Sequence, residues 1–210
     1  MHVEVLVEEP STEAALSFLL PRILPANTTW VVHPHRGKKD LLDKLPSRLR
    51  GYSRFLPPDW RLLVLIDEDR QDCRALKRHL DRRARDAGLR LARGSGGEPI
   101  QVLNRIVVEE LEAWFFGDIE AIRTAYPGVP ATLANRAPYR DPDAVAGGTW
   151  EALERVLKQA GHHRSGLRKG EAARAIAEHM DPARNRSRSF GHFRDGLLRV
   201  IGGAPNGEAF

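Results

Sequence analysis

Short unbroken apolar runs alternate with helically spaced apolar positions through the first half of the chain. Residues 2–8 (His-Val-Glu-Val-Leu-Val-Glu), Leu62–Ile66 and Arg105–Val108 have the length and bounding polar residues of strands buried in a parallel sheet. Thr28–His33 adds another strand, and Leu89–Ala92 a short one. Between them the period changes. Ser11 or Thr12 can cap a helix carrying Leu16, Leu19, Leu20, Ile23 and Leu24. A polar helix is expected over Lys38–Arg50. A third, over Asp72–Ala87, has Leu76, Leu80, Ala84 and Ala87 on one face and Arg74, Arg78, Arg82 and Arg85 largely opposite. Strand–helix alternation of this kind predicts an α/β fold, a parallel sheet with helices on both faces.

The pattern changes after Asp118. Pro127, Pro130, Pro138, Pro142 and Gly147-Gly148 mark an irregular connection, followed by helical spacing at about Thr149–Ala160, Glu171–Met180 and Phe190–Ile201. The division expected is a sheet domain over 1–118 and a small helical subdomain over 119–210 packed on it.

Acids gather where the apolar runs stop. Glu8 and Glu9 close the first run and Glu13 follows. Asp67, Glu68 and Asp69 close the run at Leu62–Ile66, and Glu109, Glu110 and Glu112 follow Val108. Ligand crevices of open α/β sheets lie beyond the carboxyl ends of the strands. Carboxylates brought together there repel one another unless a cation shares the site, and Mg²⁺ or Mn²⁺ held by oxygen ligands is the simplest purpose for them. The carboxylates of Glu9, Asp67 and Asp69 are therefore expected to converge within about 8 Å at that edge. Any one such acid, taken singly, is an ordinary helix cap or solvated turn residue. Three clusters in order make the stronger case.

Composition narrows the picture only a little. The chain has 210 residues, with 33 Lys plus Arg against 28 Asp plus Glu, and the net charge of +5 mildly favours a polyanionic partner. A single cysteine, Cys73, excludes an intramolecular disulfide framework and a Cys₄ zinc site. No apolar stretch reaches the length of a membrane span and no signal core opens the chain, so no membrane association and a cytoplasmic location are expected.

The acidic segments together resemble the Toprim domain, the metal-binding fold of topoisomerases, primases and overcoming-lysogenization-defect (OLD) nucleases. Glu9-Pro10-Ser11-Thr12-Glu13 stands where that family has Glu, Gly, two variable residues and an acid. Leu65-Ile66-Asp67-Glu68-Asp69 matches its Asp-x-Asp strand end, and Glu110-Leu111-Glu112-Ala113-Trp114 matches the helix-opening Glu-x-Glu of the OLD branch. Pro10 departs from the pattern, because Gly there permits a positive φ in the turn and Pro does not. The Glu-Leu-Glu-Ala-Trp stretch and Ser187-Arg188-Ser189-Phe190 look like a bacterial family of stand-alone Toprim-like proteins, often encoded beside an ABC-type ATPase.

The resemblance implies a Toprim/Rossmann-like sheet and a Mg²⁺- or Mn²⁺-dependent nuclease acting on DNA or RNA, in a defence or repair system with an ATPase partner. It implies Glu9 as general acid or base, Asp67 and Asp69 as metal ligands, and Glu13 and Glu112 as further ligands. Glu8 is then an extra acid beside the motif. Lys169, Arg74, Arg78 and Arg188 stand out as possible phosphate contacts.

Two alternatives stay open: a non-catalytic module that binds nucleic acid or docks an ATPase, and a small-molecule phosphohydrolase. Against the latter, Asp-x-Asp ends a later strand here, not the first as in haloacid-dehalogenase-type enzymes. Arg93-Gly94-Ser95-Gly96-Gly97 lacks the Gly-Lys-Ser/Thr ending of a P-loop, and no Gly-x-Ser-x-Gly elbow occurs. His162-His163 and His33/His35 lack partners at zinc-site spacing.

Overall fold

Strand β1 (His2–Val7) buries both of its faces, and the alternation of its side chains sorts them into two cores. Val3, Val5 and Val7 enter one and Leu6 the other. Strand β3 (Trp60–Asp67) repeats the division, with Leu63 and Leu65 on the first side and Leu62, Val64 and Ile66 on the second. In the computed structural model, which describes residues 1–69, 71–91 and 98–202, these strands join β2 (Thr29–Pro34) and β4 (Val102–Val107). The sheet is parallel throughout, in the order β2-β1-β3-β4.

Parallel neighbours need crossovers, and helices α1 (Pro10–Ile23), α2 (Lys38–Phe55) and α3 (Cys73–Asp86) supply the three. The second core lies under α2 and α3, through Leu41, Leu45, Leu49, Leu76 and Leu80. The first lies under α1 and everything after β4. That region comprises α4 (Leu111–Gly117), α5 (Ile119–Ala125), three 3₁₀ turns, α6 (Thr149–Gln159), α7 (Lys169–Ala177) and α8 (Arg188–Val200). The α/β fold expected from the alternation is the fold observed.

The first core is continuous from the sheet into the C-terminal helices. Trp114 meets the rings of Phe190 and Phe193 at 5.1 and 4.8 Å, and its indole N–H donates to Ser189 Oγ at 3.0 Å. On the far side Arg22 of α1 donates to the carbonyls of Ala177 and Met180, closing the end of α7.

Helix α2 runs five residues past the expected Arg50, and two expected strands also differ from the sequence reading. Leu89–Leu91 forms no strand: the Arg90 carbonyl accepts from both Gln101 and Val102 N–H, so one residue pairs where a ladder was expected. Ala92 and the glycine-rich run Arg93–Gly97 lie outside the described residues. Strand β4 begins three residues before the expected Arg105, because its polar positions are satisfied by neighbouring helices. Asn104 donates to Asp81 of α3 at 2.8 Å, and Arg105 donates to the His192 carbonyl of α8 at 2.9 Å. Among the described residues no helix is long and apolar enough to cross a membrane.

Val7 lies opposite Leu65 and Asp67 opposite Val107, so the carboxyl ends of β1, β3 and β4 emerge at one edge. All three acidic clusters meet the rest of the molecule there.

Candidate functional site

The turn from β1 into α1 is made without a positive φ. Glu9 is extended (φ −137°, ψ 157°) and Pro10 is the first helical residue, where its fixed φ and missing N–H cost nothing. Pro10 therefore fits this turn. Glu9 is half-buried and its Oε2 accepts from Ser11 Oγ at 3.2 Å. Glu8, one residue earlier, is 6% exposed and its Oε2 accepts the Asp67 N–H at 3.3 Å. Burial first, then the charge of Asp69, raises the Glu8 carboxyl to about 7, although the Asp67 N–H and Lys38 pull the other way.

After β3 the chain turns sharply. Glu68 N–H extends the ladder to the Val107 carbonyl at 2.9 Å, and Glu68 Oε2 accepts Glu109 N–H at 3.1 Å. Asp69 (φ 51°) and Glu109 (φ 61°) both take the left-handed conformation, held facing each other by the Asp69 N–H bond to the Glu109 carbonyl at 3.2 Å. Aspartate visits that region readily; glutamate does so at a cost on the order of 1 kcal/mol. Lys38, at the start of α2, donates to the Glu68 carbonyl and to Asp69 Oδ2 at 3.0 and 3.1 Å.

Asp67 sits at the centre of this charge. Burial first, then the charges of Glu8, Glu112, Asp69 and Glu9, hold its carboxyl well above the usual carboxylate range. Glu112, in the first turn of α4, is 3% exposed; burial lifts it to about 7, Lys169 opposes, and Glu110 and Glu9 add to the rise. Lys169 opens α7. Burial works against its charge, but Glu112, Glu110, Glu9 and Asp67 outweigh that and raise its pKa. Its Nζ lies 5.4 Å from the centre of the Trp150 ring. Glu110 supports a helix: its Oε2 accepts Thr149 Oγ1 at 2.9 Å and Trp150 N–H at 3.1 Å, satisfying the first turn of α6.

The fold thus brings Glu9, Asp67, Asp69, Glu112 and Lys169 into one electrostatically coupled group, Asp69 also bonded to Lys38. Glu13 lies one helical turn along α1 from Glu9. Glu13 lines a cleft of about 670 Å³ between α1 and α7, with Glu171 and Arg174. Arg74 and Arg78 line a separate groove beside β4. Arg188 pairs with Asp141 at 2.6 Å. Its own N–H donates to Asp143, which also accepts from Ser187 and Ser189, so this run caps α8. Glu8, an extra acid by sequence, and Lys38, which no motif singles out, join the edge through the fold. For Glu8 a signal exists: strand parity puts it on the face of Leu6, so it enters the fold and not solvent.

Among the described residues no three His, Cys, Asp or Glu side chains form a ready-made metal-holding group. The donors at the edge are nevertheless hard carboxylate oxygens, and Glu8, Asp67 and Glu112 among them are raised by burial first and by neighbouring acids after it. Mg²⁺ is commonly held by one or two carboxylates with water and substrate phosphate completing its shell. By donor chemistry the edge suits such a water-rich Mg²⁺ or Mn²⁺ site, not a closed protein cage.

The family model described as "domain of unknown function" (DUF4276) matches residues 7–198. No curated protein and no solved structure matches the chain.

Proposed function

The chain belongs to the DUF4276 family, and we propose that its acidic edge is a Mg²⁺- or Mn²⁺-dependent site for phosphodiester hydrolysis of nucleic acid. The observation that carries this reading is the position of Asp67, whose carboxyl is raised by burial and then by four other acids from three separate segments. A packed fold does not gather like charges from β1, β3 and α4 without a cost, and a divalent cation offsets that cost directly.

Asp67 with Asp69 would hold the cation, Glu8 and Glu112 adding charge to the same edge. Bound there, it would neutralise a phosphate oxygen and acidify a water. Glu9 is the residue to take the proton from an attacking water at its carboxylate, since it is only half-buried and its Oε2 already accepts from Ser11. Lys169 places a second positive charge against the same acids, where its Nζ can meet the phosphate. Lys38 orients Asp69 through its bond to Oδ2.

The test is cleavage of labelled single-stranded DNA, duplex DNA and RNA with Mn²⁺, with Mg²⁺ and with EDTA. Metal-dependent cleavage is expected. Glu9→Gln should lower it at least 100-fold while leaving metal binding intact, because acid–base groups commonly supply about 10²–10⁴. Asp67→Asn should weaken both. Wild-type protein without activity on any of these polymers contradicts the reading.

A further inference from the structure

Beside the acidic edge, a groove of about 510 Å³ straddles β4, an outer strand of the sheet, between α3 and α8. Its rim carries Arg74, Lys77 and Arg78 from one face of α3, Arg105 from β4 and His192 from α8; among the described residues no acid lines it. Ile106 and Val108 form an apolar floor. The i, i+3, i+4 spacing of the α3 cations follows from the amphipathic helix, whose other face is buried through Leu76 and Leu80.

Arg105 shows that the positive charge is built in. It shares the face of Leu103 and Val107, and its Nε donates to the His192 carbonyl while Nη1 donates to the Asn104 carbonyl. No carboxylate pairs with it among the described residues: nearby Asp81 is engaged by Lys77 and Asn104. Glycine at 196 leaves the room this guanidinium occupies, since a Cβ there would collide with it. This half-buried cation donates to two carbonyls and makes no ion pair among the described residues; nearby Asp81 favours its charge without bonding to it, and the guanidinium can serve an incoming anion.

The groove also has direction. Val108 precedes Glu109 in the chain, and Cys73, which lines the groove, is close enough to Glu68 of the acidic turn that burial first and then that charge raise its thiol pKa. One end therefore opens at the carboxyl edge.

We infer that this groove binds a single-stranded nucleic-acid segment that leads to or from the acidic edge, its phosphates on the arginine rim and its bases against Ile106 and Val108. This deepens the nuclease reading and rests on it for the connection between the two sites. An apolar floor favours a single strand, because a duplex keeps its base faces stacked inside. The cationic rim favours a polyanion over a neutral peptide pairing with the outer strand.

Cys73, the chain's single cysteine, makes the test direct. The full-length protein is treated with N-ethylmaleimide in EDTA, with and without a fluorescent twelve-residue oligothymidylate. Modification is followed by mass and binding by anisotropy. Saturating oligonucleotide should slow modification of Cys73 at least fivefold. Arg74→Ala/Arg78→Ala, both exposed positions, should weaken binding at least tenfold and remove the protection. Raising salt from 50 to 200 mM should weaken wild-type binding about tenfold, and Asp67→Asn should keep the protection.

Binding with an unchanged modification rate, or unaltered affinity in the double variant, overturns the groove assignment even if the protein cleaves nucleic acid. Protection by the oligonucleotide in a protein that cleaves nothing upholds the groove and contradicts the nuclease reading. Absence of any binding overturns both.

Discussion

Glu8 and Glu112 are carboxyls lifted to about 7 by burial, and that has a signed consequence for stability. Their folded-state pKa lies above the unfolded value, so the folded protein holds protons that the unfolded chain has released. Stability attributable to them falls as pH rises between about 5 and 7, by on the order of 3 kcal/mol for each group before relaxation. In EDTA, the melting temperature should therefore drop from pH 5 to 7.5, and Glu8→Gln/Glu112→Gln should flatten that slope. A double variant with the wild-type slope would show that these two carboxyls do not cause it. Lys169 offers a second residue-scale test. Lys169→Gln removes the cation that opposes the rise at Glu112 and should lower kcat/KM for a cleaved oligonucleotide about 10- to 100-fold in steady-state assays, through lost phosphate neutralisation.

At the scale of elements, periodicity makes most of the fold legible and fails where burial is complete. Helices α6, α7 and α8 lie within two or three residues of where their amphipathic spacing puts them, because each has one apolar and one wet face. Helix α4 has no such contrast: all seven residues, Glu112 among them, are buried, so its rotation cannot be read from spacing. The same limit applies to β4, whose Asn104 and Arg105 look like loop residues until Asp81 and α8 satisfy them. Arg188 stands out in the sequence as a phosphate contact, and only tertiary structure reveals Asp143 receiving the donors of Ser187, Arg188 and Ser189. Asp143→Ala should thus lower stability by about 1–3 kcal/mol in urea unfolding through unsatisfied donors at α8. Gly117→Ala should cost about 1–3 kcal/mol in the same experiment, because a Cβ there would enter Asn185 and press on the Ser187 backbone.

For the whole molecule, the strand-end acids are visible in the sequence, and the parallel sheet turns that one-dimensional fact into a shared edge. What no sequence pattern shows is the partition of charge in three dimensions: a carboxylate edge answered by Lys38 and Lys169, and a groove along β4 lined by cations. Glu13 illustrates the difference, since the fold sets it in a cleft between α1 and α7 beside Glu171 and Arg174, a setting that spacing does not show. The central claim is that the edge is a divalent-cation site, and Mn²⁺ binding measures it most directly. Titration at pH 7.5, by calorimetry or by loss of the free-ion EPR signal, should show saturable Mn²⁺ uptake by the wild type. It should be at least tenfold weaker in Asp67→Asn and close to wild type in Glu13→Gln. Equal uptake by wild type and Asp67→Asn, or none by either, would contradict the account.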